Sequence, residues 1–579
     1  MQLFAAMINF DRQFVDIDWI NKVFFKSPLW EPDAIETIRT DGGCLAAINR
    51  FITPQCHRSP MPFQDPSSGV VVMGSLYLTN RYMLADDLSV PSHERELLSD
   101  VEYVIRAYQQ WGVSCVQHLQ GDFAFMLWDK VKQRVHLFRD QLGQKQLMYH
   151  YHKRTLIVSN TVNAFRYCLP HLDIDDNFLM RQIVHCHVDQ EQTIFKTVKA
   201  VPAAHYVNVS RQKIHLKRYW RLPRKSIRYK DPQQYADHAR EILDSAISHR
   251  IRAIGNIGAH LSGGLDSSTV SALAATQLQK NGVGLHCYTH VPHDADRLVT
   301  RNPNWNSHDL DKISDLLLLY PNIKHHHVLS SLELDPFRWI SILGQHVCAP
   351  PRSNFNMNWM MGIANRHRNN GGRVILEGAG GNATISCLRP EFLRTLKRAI
   401  KSVLPYSPLP FFVRERSHFL SLFPVNHQKF YKLYRYYQKA NLSLLTYRRF
   451  LTTNFIASNA SFRDVMSYYT GVEHLDPTWD QELITFCANI PTSTFVNKRY
   501  DRALVRNMMG GRLPYSICFR ETYGEQAADC SLISSHHCAS WKDMLDRSER
   551  DVILSQMLNL EQARQALSDI IKSDCYINA

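Results

Sequence analysis

The stretch Ile257-Gly258-Ala259-His260-Leu261-Ser262-Gly263-Gly264-Leu265-Asp266-Ser267-Ser268 constrains this chain more than any other. A short apolar run reads as a buried strand over Ile257 to Leu261. Apolar residues then recur at helical spacing over Thr269 to Leu278, so a glycine turn joins strand to helix. Two glycines let backbone amides turn inward, serine hydroxyls add donors, and the helix offers its positive N-terminal end. Together these make an anion site suited to a phosphate chain.

The segment lacks the lysine of a GxxxxGK[ST] loop, so γ-phosphoryl transfer is not the expected chemistry. SGGxDS is instead the pattern of a pyrophosphate loop, found in enzymes that cut ATP between its α and β phosphates and adenylate a substrate. Leu261, Ser262, Gly263, Gly264, Asp266, Ser267 and Ser268 are the expected nucleotide contacts, with Asp266 holding Mg²⁺ against the phosphates. A second glycine-rich loop, Glu377-Gly378-Ala379-Gly380-Gly381-Asn382-Ala383-Thr384, follows the strand pattern Arg373 to Leu376. Loops at strand C-termini of an open α/β sheet converge on one crevice. Gly378 and Gly380 are therefore expected to face the first loop across ATP.

The rest of the chain divides around this centre. Before residue 230 it reads as short strands, such as Gly69 to Met73, Phe123 to Trp128 and Val135 to Phe138, separated by Gly, Asp and Asn turns. From Pro232 to Ala253 the pattern becomes helical, and the strand, loop, helix order of a parallel sheet follows. The boundary is placed at Leu222 to Ser226, giving domains at 1–222 and 228–579 in a chain of 579 residues. With 45% apolar and 21% charged residues, the chain is neither fibrous nor largely disordered.

The net charge of +14 would invite nucleic acid, but residues 391–450 carry 12 Lys or Arg against Glu391 and Glu415. That segment also holds 13 Phe or Tyr. The charge is thus local, and the insertion is a candidate wall of a substrate cavity; the alternative is an amphipathic helical insertion with solvated bases. Nucleic acid is not the expected partner. An odd count of 13 cysteines without a CxxC fits free thiols in a reducing compartment. No basic, apolar leader opens the sequence and no run is long enough to span a membrane, so a cytoplasmic protein is expected. His325-His326-His327 alternate faces if they lie in a strand, which argues against one shared metal ion.

The two loops, with Leu119 to Asp129, Leu137 to Leu147, Val201 to His205 and Arg218-Tyr219-Trp220, resemble the asparagine synthetase family over most of the chain. The resemblance implies a mixed α+β and α/β fold: an N-terminal glutaminase-like αββα sandwich of the N-terminal-nucleophile type, then a parallel-sheet synthetase domain related to the adenine-nucleotide α-hydrolases, with helical insertions. Family glutaminases expose a nucleophilic N-terminal cysteine, whereas here Met1 is followed by Gln2. The first domain is therefore expected to make no ammonia.

Tyr288 to Pro292, Tyr320 to His325 and Gly380-Gly381-Asn382-Ala383-Thr384-Ile385-Ser386 are similar to lasso peptide macrolactam synthetases of the proteobacterial kind. Gly471-Val472-Glu473, Asn497-Lys498-Arg499 and Gly511 to Pro514 continue the match. The resemblance implies Asp266, Glu473, Lys498 and Arg520 as catalytic residues, ATP and Mg²⁺ as cofactors, and Asp266 with Asn382 as metal ligands. It implies as partners a leader-free precursor peptide and, with it, a leader peptidase and a leader-recognition protein. Two positions depart from the wider family, Asn382 for an aspartate and Tyr523 for a lysine or arginine; Arg520, Lys498 or Arg499 are candidates to supply the missing cation. The expected reaction joins a side-chain carboxylate to the peptide's own N-terminal amine. Asparagine formation from free ammonia and a non-catalytic peptide-binding scaffold stay as alternatives.

Overall fold

The structure is a computed structural model. It describes residues 2–15, 18–24, 30–183, 189–298, 300, 305–344, 346–347, 354–387, 456–497, 500–520, 522–550 and 560–572. The basic aromatic segment 391–450 lies outside the described residues.

The N-terminal part is two antiparallel six-stranded sheets, packed face to face. Gln2–Asn9 lies inside one sheet, between Gly43–Asn49 and Thr155–Ser159. Its alternate residues Phe4, Ala6 and Ile8 meet Val71, Met73, Ala124 and Met126 of the other sheet, a period of two that buries one face. Helices cover the outer faces. Asp100–Trp111, started by a reciprocal Ser99–Glu102 capping box, packs Val101, Val104, Ile105 and Tyr108 on one side. Asp18–Phe24 and Val162–Cys168 cover the other through Trp19, Ile20, Val23 and Ala164. This is the αββα sandwich the sequence predicts.

The last strand of the sandwich, Ile214–Arg218, is followed by irregular chain up to the helix Pro232–Arg250, whose Asp231 cap accepts from the Gln233 amide at 2.9 Å. A five-stranded parallel sheet follows, in spatial order Ile323–Leu329, Leu285–Val291, Asn256–His260, Gly372–Leu376, Glu473–Leu475. Counted along the chain the order is 3-2-1-4-5, so the direction of winding reverses between the first strand and the fourth. A crevice opens at the C-terminal ends of strands on either side of such a reversal. The pyrophosphate-type loop follows the first strand and the second glycine loop follows the fourth. Among the described residues, no helix is long and apolar enough to cross a membrane.

Candidate active site

The two loops touch. Gly263 has φ +72°, which favours glycine, and a Cβ there would stand 2.6 Å from Asp309 Cβ. Gly264 caps the helix Leu265–Gln279 without any side-chain bond to the first turn, so the amides of that turn remain directed at the crevice. Ser262 and Ser267 hold each other through their hydroxyls at 2.9 Å, and Leu261 is fixed by a bond from its amide to Tyr288 O at 2.9 Å. Ser268 is buried on the helix, its Oγ without a partner.

Across the crevice, Gly381 permits the closest approach. A Cβ at that position would meet Asp266 Cγ at 2.3 Å. Gly378 precedes the short 3₁₀ turn Ala379–Ala383, and Gly380 donates its amide to Asp476 Oδ2 at 2.8 Å. Asn382, in the same turn, is exposed.

Asp266 is the pivot of this arrangement. Ser386 donates to its Oδ2 at 2.8 Å, while Oδ1 is buried with no hydrogen-bond partner. Burial raises its pKa, against the lowering influence of Arg502. A carboxylate oxygen sealed and unpaired is costly unless a cation or donor completes it. A carboxylate of this kind fits Mg²⁺, a hard cation that takes oxygen ligands, and Asn382 stands in the turn next to Gly381 that faces it.

Cations surround the first loop. Arg520 donates from Nη1 to Gly263 O at 2.9 Å and pairs with the buried Asp309 at 2.9 Å, and Lys312 Nζ reaches the same carboxylate at 2.6 Å. Two positive charges thus share one negative beside the first glycine loop. Tyr523 forms a two-residue parallel pairing with Trp305, and the guanidinium carbons of Arg502 and Arg520 each lie 5.9 Å from its ring centre. Two arginines therefore flank the position that lacks a cation of its own. Lys498, like Arg499, lies outside the described residues.

Glu473 is buried at the start of the fifth strand and forms an ion pair with Lys145, which comes from the N-terminal sandwich. Lys145 also reaches Asp464 at 3.4 Å. The loop that carries it is built by Asp140 and Arg139. Asp140 accepts the amides of Leu142 at 2.9 Å and Gln144 at 3.0 Å, and Arg139 donates to the carbonyls of Gly143, Lys145 and Val201. This loop is seated in the second domain, where Gln144 accepts from Arg463 at 2.6 Å. In the sandwich itself, Cys44 faces Met7 across the strand pair and is buried, which raises its thiol pKa and keeps it protonated.

Sequence reasoning missed Lys145, Asp309, Lys312, Ser386 and Arg502 as neighbours of the site. Lys145 and Ser386 fall within stretches that carry the family resemblance; nothing in the local pattern marks the others. His325 and His327 share one face of their strand while His326 stacks on Tyr288 and His286 across the other.

A glutamine amidotransferase domain model matches residues 35–220, and an asparagine synthase model matches residues 238–569, more than half of the chain. The chain belongs to the asparagine synthase family. Among its relatives, "Asparagine synthetase [glutamine-hydrolyzing] 3" of Bacillus subtilis is 27% identical over 48% of this chain and 45% of its own length. "Amidase chry2" of Gibberella zeae is 32% identical over 39% of this chain and 33% of its own, and "Amidase chyE" of Penicillium rubens is 30% identical over 43% and 39%. The match thus spans less than half the length of each. A glutamine phosphoribosylpyrophosphate amidotransferase structure from Bacillus subtilis, with ADP and GMP, is 12% identical over 52% of this chain and 61% of that one, with a TM-score of 0.24.

Proposed function

We propose that the chain is an ATP-dependent, AMP-forming amide ligase that closes a macrolactam in a ribosomal peptide. One observation carries the adenylation step: the buried, unpaired Asp266 Oδ1 sits between two glycine loops at the switch point of the sheet, beside a helix N-terminus that receives no side-chain cap. A Mg²⁺ ion held there would supply charge neutralisation to the phosphates. Asp266 would hold that ion, the amides that open the helix Leu265–Gln279 would take phosphate oxygens, and Arg520 and Arg502 would add positive charge where negative charge develops.

In this reading an Asp or Glu side chain of a leader-free peptide takes the adenylyl group, and the peptide's N-terminal amine displaces AMP. Holding the two ends together removes an entropic barrier that free peptide would face. The resemblance of Gly380 to Ser386 to lasso peptide cyclases supports the substrate class. The sandwich then serves the second domain by delivering Lys145 to Glu473.

A second reading, asparagine formation, is favoured by the similarity to the asparagine synthetase of Bacillus subtilis. ATP–pyrophosphate exchange separates the two. Exchange stimulated by a leader-free peptide encoded beside the gene, and not by free aspartate, supports macrolactam closure. Exchange stimulated by aspartate alone overturns it.

A further inference from the structure

We propose that His260, Glu377 and His474 bind one divalent transition-metal ion of the zinc class, separate from the Mg²⁺ at Asp266. The three residues stand at the C-terminal ends of three adjacent strands: His260 ends the first, Glu377 follows the fourth, and His474 lies in the fifth. One ligand atom from each falls within 4.8 Å of the others. The Nε2 atoms of both histidines are buried and have no hydrogen-bond partner. An orphaned imidazole nitrogen in a dry site costs free energy that a metal bond would recover.

Four other histidines packed near this sheet differ. His286 and His326 meet each other at 3.1 Å, His325 meets Thr289 at 2.7 Å, and His367 contacts Tyr288 Oη and Val374 O. Their contacting nitrogens are spent on protein partners.

Two imidazoles and a carboxylate form a donor set that suits zinc and leaves a fourth position open, whereas Mg²⁺ prefers oxygen alone. Arg463 limits the negative charge, its Nη1 lying 3.9 Å from Glu377 Oε2. The His474 Nδ1–Glu377 Oε1 contact of 2.6 Å orients the histidine, and metal binding either replaces the shared proton or uses that bond to aim Nε2. Since His260 immediately precedes the first nucleotide loop and Glu377 immediately precedes Gly378 of the second, one ion would tie both loops together.

Cobalt(II) added to the chelator-treated full-length protein tests this. We expect one equivalent to give visible d–d absorption without a thiolate charge-transfer band, displaced by Zn²⁺. His260→Gln and Glu377→Gln should each weaken binding at least about tenfold, as loss of a ligand requires, and His326→Gln should leave it unchanged. Absence of the nitrogen- and oxygen-type spectrum in the wild type, or its persistence in both site variants, overturns the proposal. If the variants fail to fold, X-ray absorption of the wild-type zinc form decides: two imidazoles at about 2.0–2.1 Å sustain the site, and sulfur ligation overturns it.

Discussion

Replacing Lys145 by methionine should weaken both the fold and the candidate site, although the residue belongs to the other domain. Its side chain is 5% exposed and faces those of Glu473 at 3% and Asp464 at 5%. Burial alone would raise the pKa of Glu473, yet the lysine outweighs it and holds the carboxylate charged; Asp464 stays raised by burial and by Glu473. Removing the cation leaves two buried carboxylates with no counter-charge between them, a change that typically costs about 3–5 kcal/mol. The double variant Lys145→Met/Glu473→Gln removes one of the stranded charges and should recover most of the loss, with a coupling of about 2 kcal/mol. Guanidinium unfolding of the full chain, followed by circular dichroism, measures both quantities, and pyrophosphate exchange reports on the site. A loss below about 1 kcal/mol, or a double variant no better than the sum of its parts, would refute a load carried by this pair.

Three further outcomes follow from the same geometry. Gly381→Ala puts a methyl group 2.3 Å from Asp266 Cγ, so exchange activity should fall by about 100-fold while the circular dichroism spectrum is kept. Arg502→Met should lower kcat/KM by roughly 10²-fold and Arg502→Lys should restore part of it, since its charge acts on Asp266 beside Tyr523. Burial lowers the pKa of His346 to about 4, with Arg166 adding to the effect, while the imidazole meets Thr161 of the sandwich at 2.9 Å. The folded value lies below the unfolded one, so the stability this group contributes is present above pH 6.5 and is lost as pH falls towards 4, by about 3 kcal/mol in all. Thermal unfolding of His346→Gln should show a shallower acid dependence across that window than the wild type.

Elements defined by local pattern were legible. The strand expected at Ile257 to Leu261 is found at Asn256–His260, and the helix expected at Thr269 to Leu278 begins one turn earlier at Leu265, because Gly264 can serve as its cap. The two glycine loops were legible because Gly263 takes a positive φ and Gly378, Gly380 and Gly381 stand where a Cβ would collide with a neighbour. The period of two correctly separated His326 from His325 and His327. What stayed hidden depends on distant packing. Lys145 meets Glu473 across 328 positions of chain, and Arg520 meets Gly263 across 257, distances no periodicity records. The cluster of His260, Glu377 and His474 comes from three strands whose adjacency exists only once the sheet is wound.

The central claim is adenylation at Asp266 followed by closure of the peptide on itself. Quantifying nucleotide and peptide products in one reaction, with the full chain, Mg²⁺, ATP and the leader-free peptide, tests it most directly. The account predicts one AMP for each peptide that loses one water, with both products absent in Asp266→Asn. Release of ADP, or dehydration that survives in Asp266→Asn, would contradict it.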